Sequence, residues 1–227
     1  MLVGACALVA GCTNNVSGKA APADKSGPYA LPPLPVSTLD GLLLDVQQIN
    51  SALGATSMKT WFDARKMWDW SADVDDQNCL GVDGPAQDKV YANTGWSGMR
   101  GQRLDDSTDG SKRRDHYAIQ AVVAFPSARD AATFYKSSTQ SWAACSNRQF
   151  SDRNPGQADT VWTVAEVTNE DGTLSTSETQ EGGNGWTCQR ALTVRNNVAI
   201  DIVACSTAPG SAAKDIAIQI AAKVDKN

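Results

Sequence analysis

The chain of 227 residues contains a single histidine, His116. Histidine is the side chain that titrates near neutral pH without help, so a Ser-His-Asp hydrolase would have to use His116 as its base. The surroundings do not complete such a set. Gly95-Trp96-Ser97-Gly98 stops short of a nucleophile elbow, because position 99 is Met. Ser211-Ala-Ala-Lys214 has the spacing of penicillin-binding enzymes, but the S-D-N and K-T-G companions are missing. Ser211 also stands where a helix cap is expected. The sequence has no glycine-rich phosphate loop and no dinucleotide fingerprint. It has no C-x2-C pair, which removes the usual spacing of a zinc site. Asp73, Asp75 and Asp76 lack the Gly and terminal Glu of a calcium loop and read as solvated acids. Positive charge is also short: the formal net charge is −5, which argues against nucleic acid and against a polybasic membrane patch. Lys112-Arg113-Arg114 is the one basic cluster, and among Asp and Gly it reads as a solvated loop. The expectation is therefore no catalytic set, no cofactor and no metal.

What is present begins at the N-terminus. The run Met1 to Cys12 is uncharged, and it falls short of the roughly 20 apolar residues that cross a bilayer. It ends in Val9-Ala10-Gly11-Cys12, which resembles a bacterial lipobox, where cleavage precedes a Cys that carries a diacylglycerol. Residues 1–11 are expected to be a lipoprotein signal peptide and Cys12 the lipidated residue. Signal peptides open with Lys or Arg and this chain opens Met-Leu-Val, so a signal shortened at its start is expected. Residues 12–37, rich in Ala, Pro, Ser and Gly, read as a tether, stiffer toward Leu31-Pro-Pro-Leu-Pro-Val36. Residues 38–227 are long enough for one domain with a core of its own.

The cysteines that remain after removal of Cys6 and lipidation of Cys12 are Cys79, Cys145, Cys188 and Cys205. An even number in an exported chain implies two disulfides. Residues 187–195 and 198–205 read as strands, and Asn196-Asn197 between them suits a two-residue hairpin turn. Pairing 195 with 198 and counting outward brings Cys188 opposite Cys205. That is a non-hydrogen-bonded pair, with Cα atoms about 4.5 Å apart and within disulfide reach. Cys79–Cys145 follows by elimination.

Other elements are legible. Asp45 caps a helix in a capping box with Gln48, and Gly54 ends it. Residues 58–61 and 96–104 read as strands, and Pro85 to Tyr91 as a short helix. Tyr117, Ile119, Ala121, Val123 and Phe125 alternate along one strand face. Ser127 caps the longest helix, whose buried face carries Tyr135, Ser138, Trp142 and Cys145. Strands are expected over 161–167 and 173–178, and a last helix from Ser211 with Ile216, Ile220 and Val224 inward. Short connections dominate, so the fold class is α+β: a single domain with a largely antiparallel sheet packed by helices.

Several phrases occur in a telling order: Asp40-Gly-Leu-Leu-Leu, Asp76-x-x-Cys79-Leu-Gly, Gly84-Pro85-Ala-Gln, Gly95-Trp96-x-x-x-Arg100-Gly-Gln and Trp142-x-x-Cys145. Together they resemble the PknH-type extracellular sensor domain of mycobacteria, over residues 38–226. The resemblance implies two disulfides, an antiparallel sheet with helices, and a cleft for an unidentified ligand. It brings no kinase activity with it. The chain is similar instead to stand-alone sensor-domain lipoproteins.

The seven tryptophans offer the best lead to a site. Trp61, Trp142 and Trp162 sit on periodic elements and are expected in the core. Trp68 and Trp70 lie in an acidic loop, where large rings are harder to explain by packing. Trp96 and Arg100 match the resembling family. The expected ligand site is therefore Trp68, Trp70, Trp96 and Arg100, with Arg100 available to an anionic group. The function read from the sequence is a lipid-anchored, non-catalytic binding domain on the extracytoplasmic face of the cell membrane. Its partner is an unidentified small molecule or an envelope protein. The alternatives are a carrier of an envelope lipid or other hydrophobic molecule, and a hydrolase using Glu166 and Glu178.

Overall fold

The computed structural model describes residues 31–108, 113–154 and 156–227. The signal segment, Cys12 and most of the tether lie outside them. Pro32–Asn227 forms one compact unit.

The centre of that unit is a hairpin, β8 (Thr187–Arg195) and β9 (Val198–Ser206), turning at Asn196 with φ of 48°. Arg195 faces Val198, and Cys188 faces Cys205, as the sequence requires. Around it a sheet of nine strands assembles in the order β1 (Lys59–Ala64), β2 (Gly98–Asp105), β3 (Tyr117–Ala124), β9, β8, β7 (Thr173–Gln180), β5 (Thr160–Val164), β4 (Gln149–Asp152). The ninth, β6 (Thr168–Glu170), also pairs with β7. Every pairing is antiparallel.

Helices cover both faces. The first face lies under α3 (Leu80–Asp83), α4 (Asp88–Tyr91) and α5 (Ala128–Cys145), and the second under α1 (Leu39–Leu42), α2 (Val46–Leu53) and α6 (Ala212–Val224). This explains β3. Ile119, Ala121 and Val123 enter the first core, as their alternation requires, while Ala118, Val122 and Ala124 enter the second. A strand covered on both faces reads as a nearly continuous apolar run. Its one interior polar residue, Gln120, is fully used: its amide bonds both N–H and C=O of Leu44 and the Gln102 side chain.

The helix boundaries follow local chemistry. Asp45 accepts from Gln48 N while Gln48 reaches back to Asp45 N, and Gly54 closes α2 with φ of 66°. Ser127 accepts from Asp130 N to start α5. Ser138, Trp142 and Cys145 are buried on α5, while Tyr135 is half-buried and bonds Asn169. Ile216, Ile220 and Val224 are buried on α6.

Several expectations are corrected. The helix expected from Pro85 begins only at Asp88, because Ala86 takes φ of 50° so that its N–H can reach Asp201 Oδ2 at 2.9 Å. Trp61 was expected in the core but is 48 % exposed; a bulge between Thr60 and Phe62 breaks the alternation and turns Trp61 and Phe62 both outward. The tether expected over 12–37 ends earlier, since Leu34 is buried and bonded through its backbone to both ends of the Asn197 amide. Strands β4 and β6 were not foreseen; both are short and polar, with little periodicity to display.

Candidate functional site

Between β1 and β4 the first face of the sheet is open to a cleft, roofed by the loop from Arg65 to Cys79. The loop is irregular but well tied. Trp68 exchanges backbone hydrogen bonds with Ala86 and Asp88, at 3.1 and 2.7 Å. Trp70 N donates to Gln87 Oε1, and Ser151 N donates to Asp75 Oδ1. At its end, Cys79 is joined to Cys145 of α5. Two glycines make room for the rings. A Cβ on Gly101 would stand 2.6 Å from the Trp68 ring, and one on Gly84 would collide with Trp70. Glycine inside a strand often marks such a close approach.

The outer part of the cleft has a volume of about 470 Å3 and an aromatic wall of Trp61, Phe62, Trp68, Trp70 and Tyr117. Two cations line it. The Arg114 guanidinium lies 4.6 Å and the Arg103 guanidinium 5.6 Å from the Tyr117 ring centre. Both lean on buried Asp105, Arg103 at 3.1 Å and Arg114 at 3.9 Å. Burial opposes the charge of Asp105, but hydrogen bonds from Ser107 and Arg103 prevail and hold its carboxyl below the usual range. Burial pushes the Tyr117 hydroxyl up to about 12, so it stays a neutral donor at physiological pH.

The inner part, which shares Trp70, Arg114 and Tyr117 with the outer, is a cavity of about 150 Å3. Its walls include Trp162, Trp186 and the Cys188–Cys205 disulfide. Three carboxyls meet there: Asp83 from the end of α3, Asp152 from β4 and Glu178 from β7. Burial raises the pKa of each, and proximity to Asp152 raises Asp83 further. The Trp162 indole donates to Asp152 at 3.2 Å.

Of the four ligand-site residues expected from the sequence, the fold brings Trp68 and Trp70 together in the cleft wall. Trp96 is half-buried against the first core and does not line the cleft. Arg100 points to the second face, where it pairs with Asp40 at 2.8 Å and donates to its neighbour's carbonyl, Met99 O. The reason is parity: Arg100 lies one residue from Gly101 and so faces the other side of β2. Arg103 shares the face of Gly101. It was missed, although the mid-strand glycine signalled where a ring would approach. Arg114 was missed because it belongs to the basic triplet read as a solvated loop; Lys112 lies outside the described residues.

Glu166 and Glu178 are not a pair. Glu166 is exposed beyond the end of β5, whereas Glu178 is buried opposite Val164. Ser211 bonds Asp215 while Lys214 reaches Glu170, so the two ends of that motif serve different partners. His116 is held by Asp106 at 2.7 Å at the entry to β3. Among the described residues no helix is long and apolar enough to cross a membrane.

Comparison with known proteins agrees with this architecture. A family model described as the PknH-like extracellular domain matches residues 34–223. The serine/threonine-protein kinase PknH of Mycobacterium bovis is 36 % identical over 197 residues, covering 86 % of this chain and 32 % of the kinase. PknH of Mycobacterium tuberculosis matches at the same identity over 31 % of its length. The chain thus spans about a third of the curated relatives it matches. The crystal structure of the extracellular domain of PknH from Mycobacterium tuberculosis superposes with a TM-score of 0.81 at 34 % identity, covering 86 % of this chain and 98 % of that one.

Proposed function

Because the chain belongs to the PknH-like extracellular domain family, we propose that it is a non-catalytic binding domain, held by lipid on the extracytoplasmic face of the cell membrane, that takes a small organic molecule in its aromatic cleft. The observation that carries this reading is the cleft itself: about 470 Å3, within the range of small-molecule sites, with five aromatic rings beside two arginines. Its walls are tied by hydrogen bonds and a disulfide, so a ligand meets a preformed surface and little ordering cost opposes binding. The charged groups along the wall fit a ligand with polar ends better than a lipid chain, which speaks against the carrier alternative. The separation of Glu166 from Glu178 speaks against the hydrolase. The lipobox ending at Cys12 supports the anchor.

The test is native mass spectrometry of the protein extracted from its own envelope. A discrete co-purifying mass, lost in a Trp68→Ala/Trp70→Ala variant that still melts cooperatively, is the expected result. A protein that emerges empty, and whose double variant binds the same envelope partners in crosslinking, would overturn the reading. For the anchor, Cys12→Ser should move the protein from the membrane fraction to the soluble one.

A further inference from the structure

The inner cavity gathers three carboxyls only partly supplied with donors: Asp83 and Asp152 share a hydrogen bond, and the Trp162 indole donates to Asp152. Asp83, Asp152 and Glu178 come from three elements far apart in sequence, yet line one space of about 150 Å3. Glu178 is 2 % exposed, and its Oε2 finds no hydrogen-bond partner among the described residues. A desolvated carboxyl oxygen without a donor is costly to maintain. The buried cation beneath it does not answer the need. Arg190 is committed to Asp201 at 2.7 Å and to the carbonyls of Gly81, Val82 and Ile202. From the roof loop, Asp73 and Asp75 add negative charge toward Asp152. Arg114 and Tyr117 face the cavity from the β3 side, and Arg153 lies on the rim beside Asp73.

We propose that Asp83, Asp152 and Glu178 form an ammonium subsite, so that the ligand of the cleft carries an amine whose N–H groups are received by these carboxyls. The proposal rests on the reading of the cleft as a small-molecule site. An ammonium supplies three donors and one positive charge, matching three carboxyls. Its carbon stem fits the aromatic rings of Trp70, Trp162 and Trp186, whose faces attract cations. A hard divalent metal fits less well, since it wants six or more oxygens and this cavity is walled largely by rings and a disulfide. A neutral hydroxyl would satisfy one acceptor and would not favour the ionised carboxyls. Burial raises the pKa of these carboxyls, and an ammonium beside them favours their ionised form, so its binding releases protons.

The experiment uses two probes of the same shape, 2-phenylethylamine and 2-phenylethanol, titrated into the intact protein with tryptophan fluorescence and calorimetry as readouts. The amine is expected to bind at least about tenfold more tightly than the alcohol at pH 7.5. Its affinity should rise between pH 5 and pH 7.5 with net proton release, while that of the alcohol stays level. Glu178→Gln and Asp152→Asn should each lower the affinity for the amine by a larger factor than that for the alcohol, whereas Trp70→Ala should weaken both alike. Equal affinities for the two probes, or an amine preference that survives both carboxyl variants, would overturn the subsite and leave the cleft reading intact. Absence of binding by either probe at millimolar concentration would overturn the cleft reading and the subsite with it.

Discussion

Arg190 on β8 reaches diagonally across to Asp201 on β9, and the two make a 2.7 Å ion pair with side chains only 0 % and 5 % exposed. The pair joins layers as well as strands. Arg190 donates to the carbonyls of Gly81 and Val82 in α3 and lies 5.2 Å from the Trp142 ring of α5. Asp201 accepts from Ala86 N and from the Tyr91 hydroxyl at 3.1 Å. The segment that forms one side of the cleft is thus pinned to the central hairpin through charge-assisted bonds, which are the stronger kind.

Removing one partner leaves the other buried and unpaired. Asp201→Ala is expected to cost about 3–5 kcal/mol of stability. Urea unfolding followed by tryptophan fluorescence measures it, and a loss under about 1 kcal/mol would mean that Arg190 finds another counter-charge.

The two disulfides should contribute unequally. Cys188–Cys205 spans 17 residues and Cys79–Cys145 spans 66. Loop-closure entropy grows with the logarithm of length, so replacing the second pair by Ser should cost about 1 kcal/mol more than replacing the first. Each should fall in the range of about 2–5 kcal/mol. Paired melts of the two double-serine variants decide the order.

Gly101→Ala should separate the cleft from the fold. Its Cβ would press on the Trp68 ring, 2.6 Å away, and on the backbone oxygen of Gln120 at 3.3 Å. An overpacked contact of this kind costs about 1–3 kcal/mol. The expected outcome is a folded protein with a lower melting temperature and altered tryptophan emission, because Trp68 must leave its place. Unchanged emission would show that the strand yields instead of the ring.

Stability should fall as pH rises above the ordinary carboxylate range. Burial raises the pKa of Glu178 and Asp83, so between the unfolded value near about 4 and the higher folded value the folded chain binds more protons. Stability then decreases with pH through that window. Glu178→Gln removes one such group and is expected to raise the melting temperature at pH 7 while flattening its pH dependence. At the acid end Asp105 and Asp106 act oppositely. Burial opposes their charge, but hydrogen bonds from Ser107 and from His116 and Asp115 hold both below the usual value, so their contribution is lost as pH falls through those lowered values. A scan of melting temperature from pH 3 to pH 8 for both proteins tests the sign; an identical slope in the variant would contradict it.

Local rules settled a good part of this molecule in advance. Asp45, Gln48 and Gly54 bounded α2 because capping depends on neighbours in sequence. Asn196-Asn197 set the hairpin register, and the register alone placed Cys188 opposite Cys205. The order of elements and their short connections gave the α+β class, and the resemblance carried by short phrases around Cys79, Trp96 and Trp142 located the family. The irregular, aromatic loop around Trp68 and Trp70 was visible as an anomaly, and it became the cleft roof. What tertiary structure decided was everything that depends on elements distant in sequence. Which strands neighbour which placed Asp83, Asp152 and Glu178 in one cavity, though they are scattered along the chain and each looks unremarkable alone. A bulge of one residue turned Trp61 outward, and strand parity sent Arg100 to Asp40 and Arg103 to the cleft. Such choices rest on sheet order and on a period of two, in which a shift of one position reverses the face, and no stretch of sequence records them by itself.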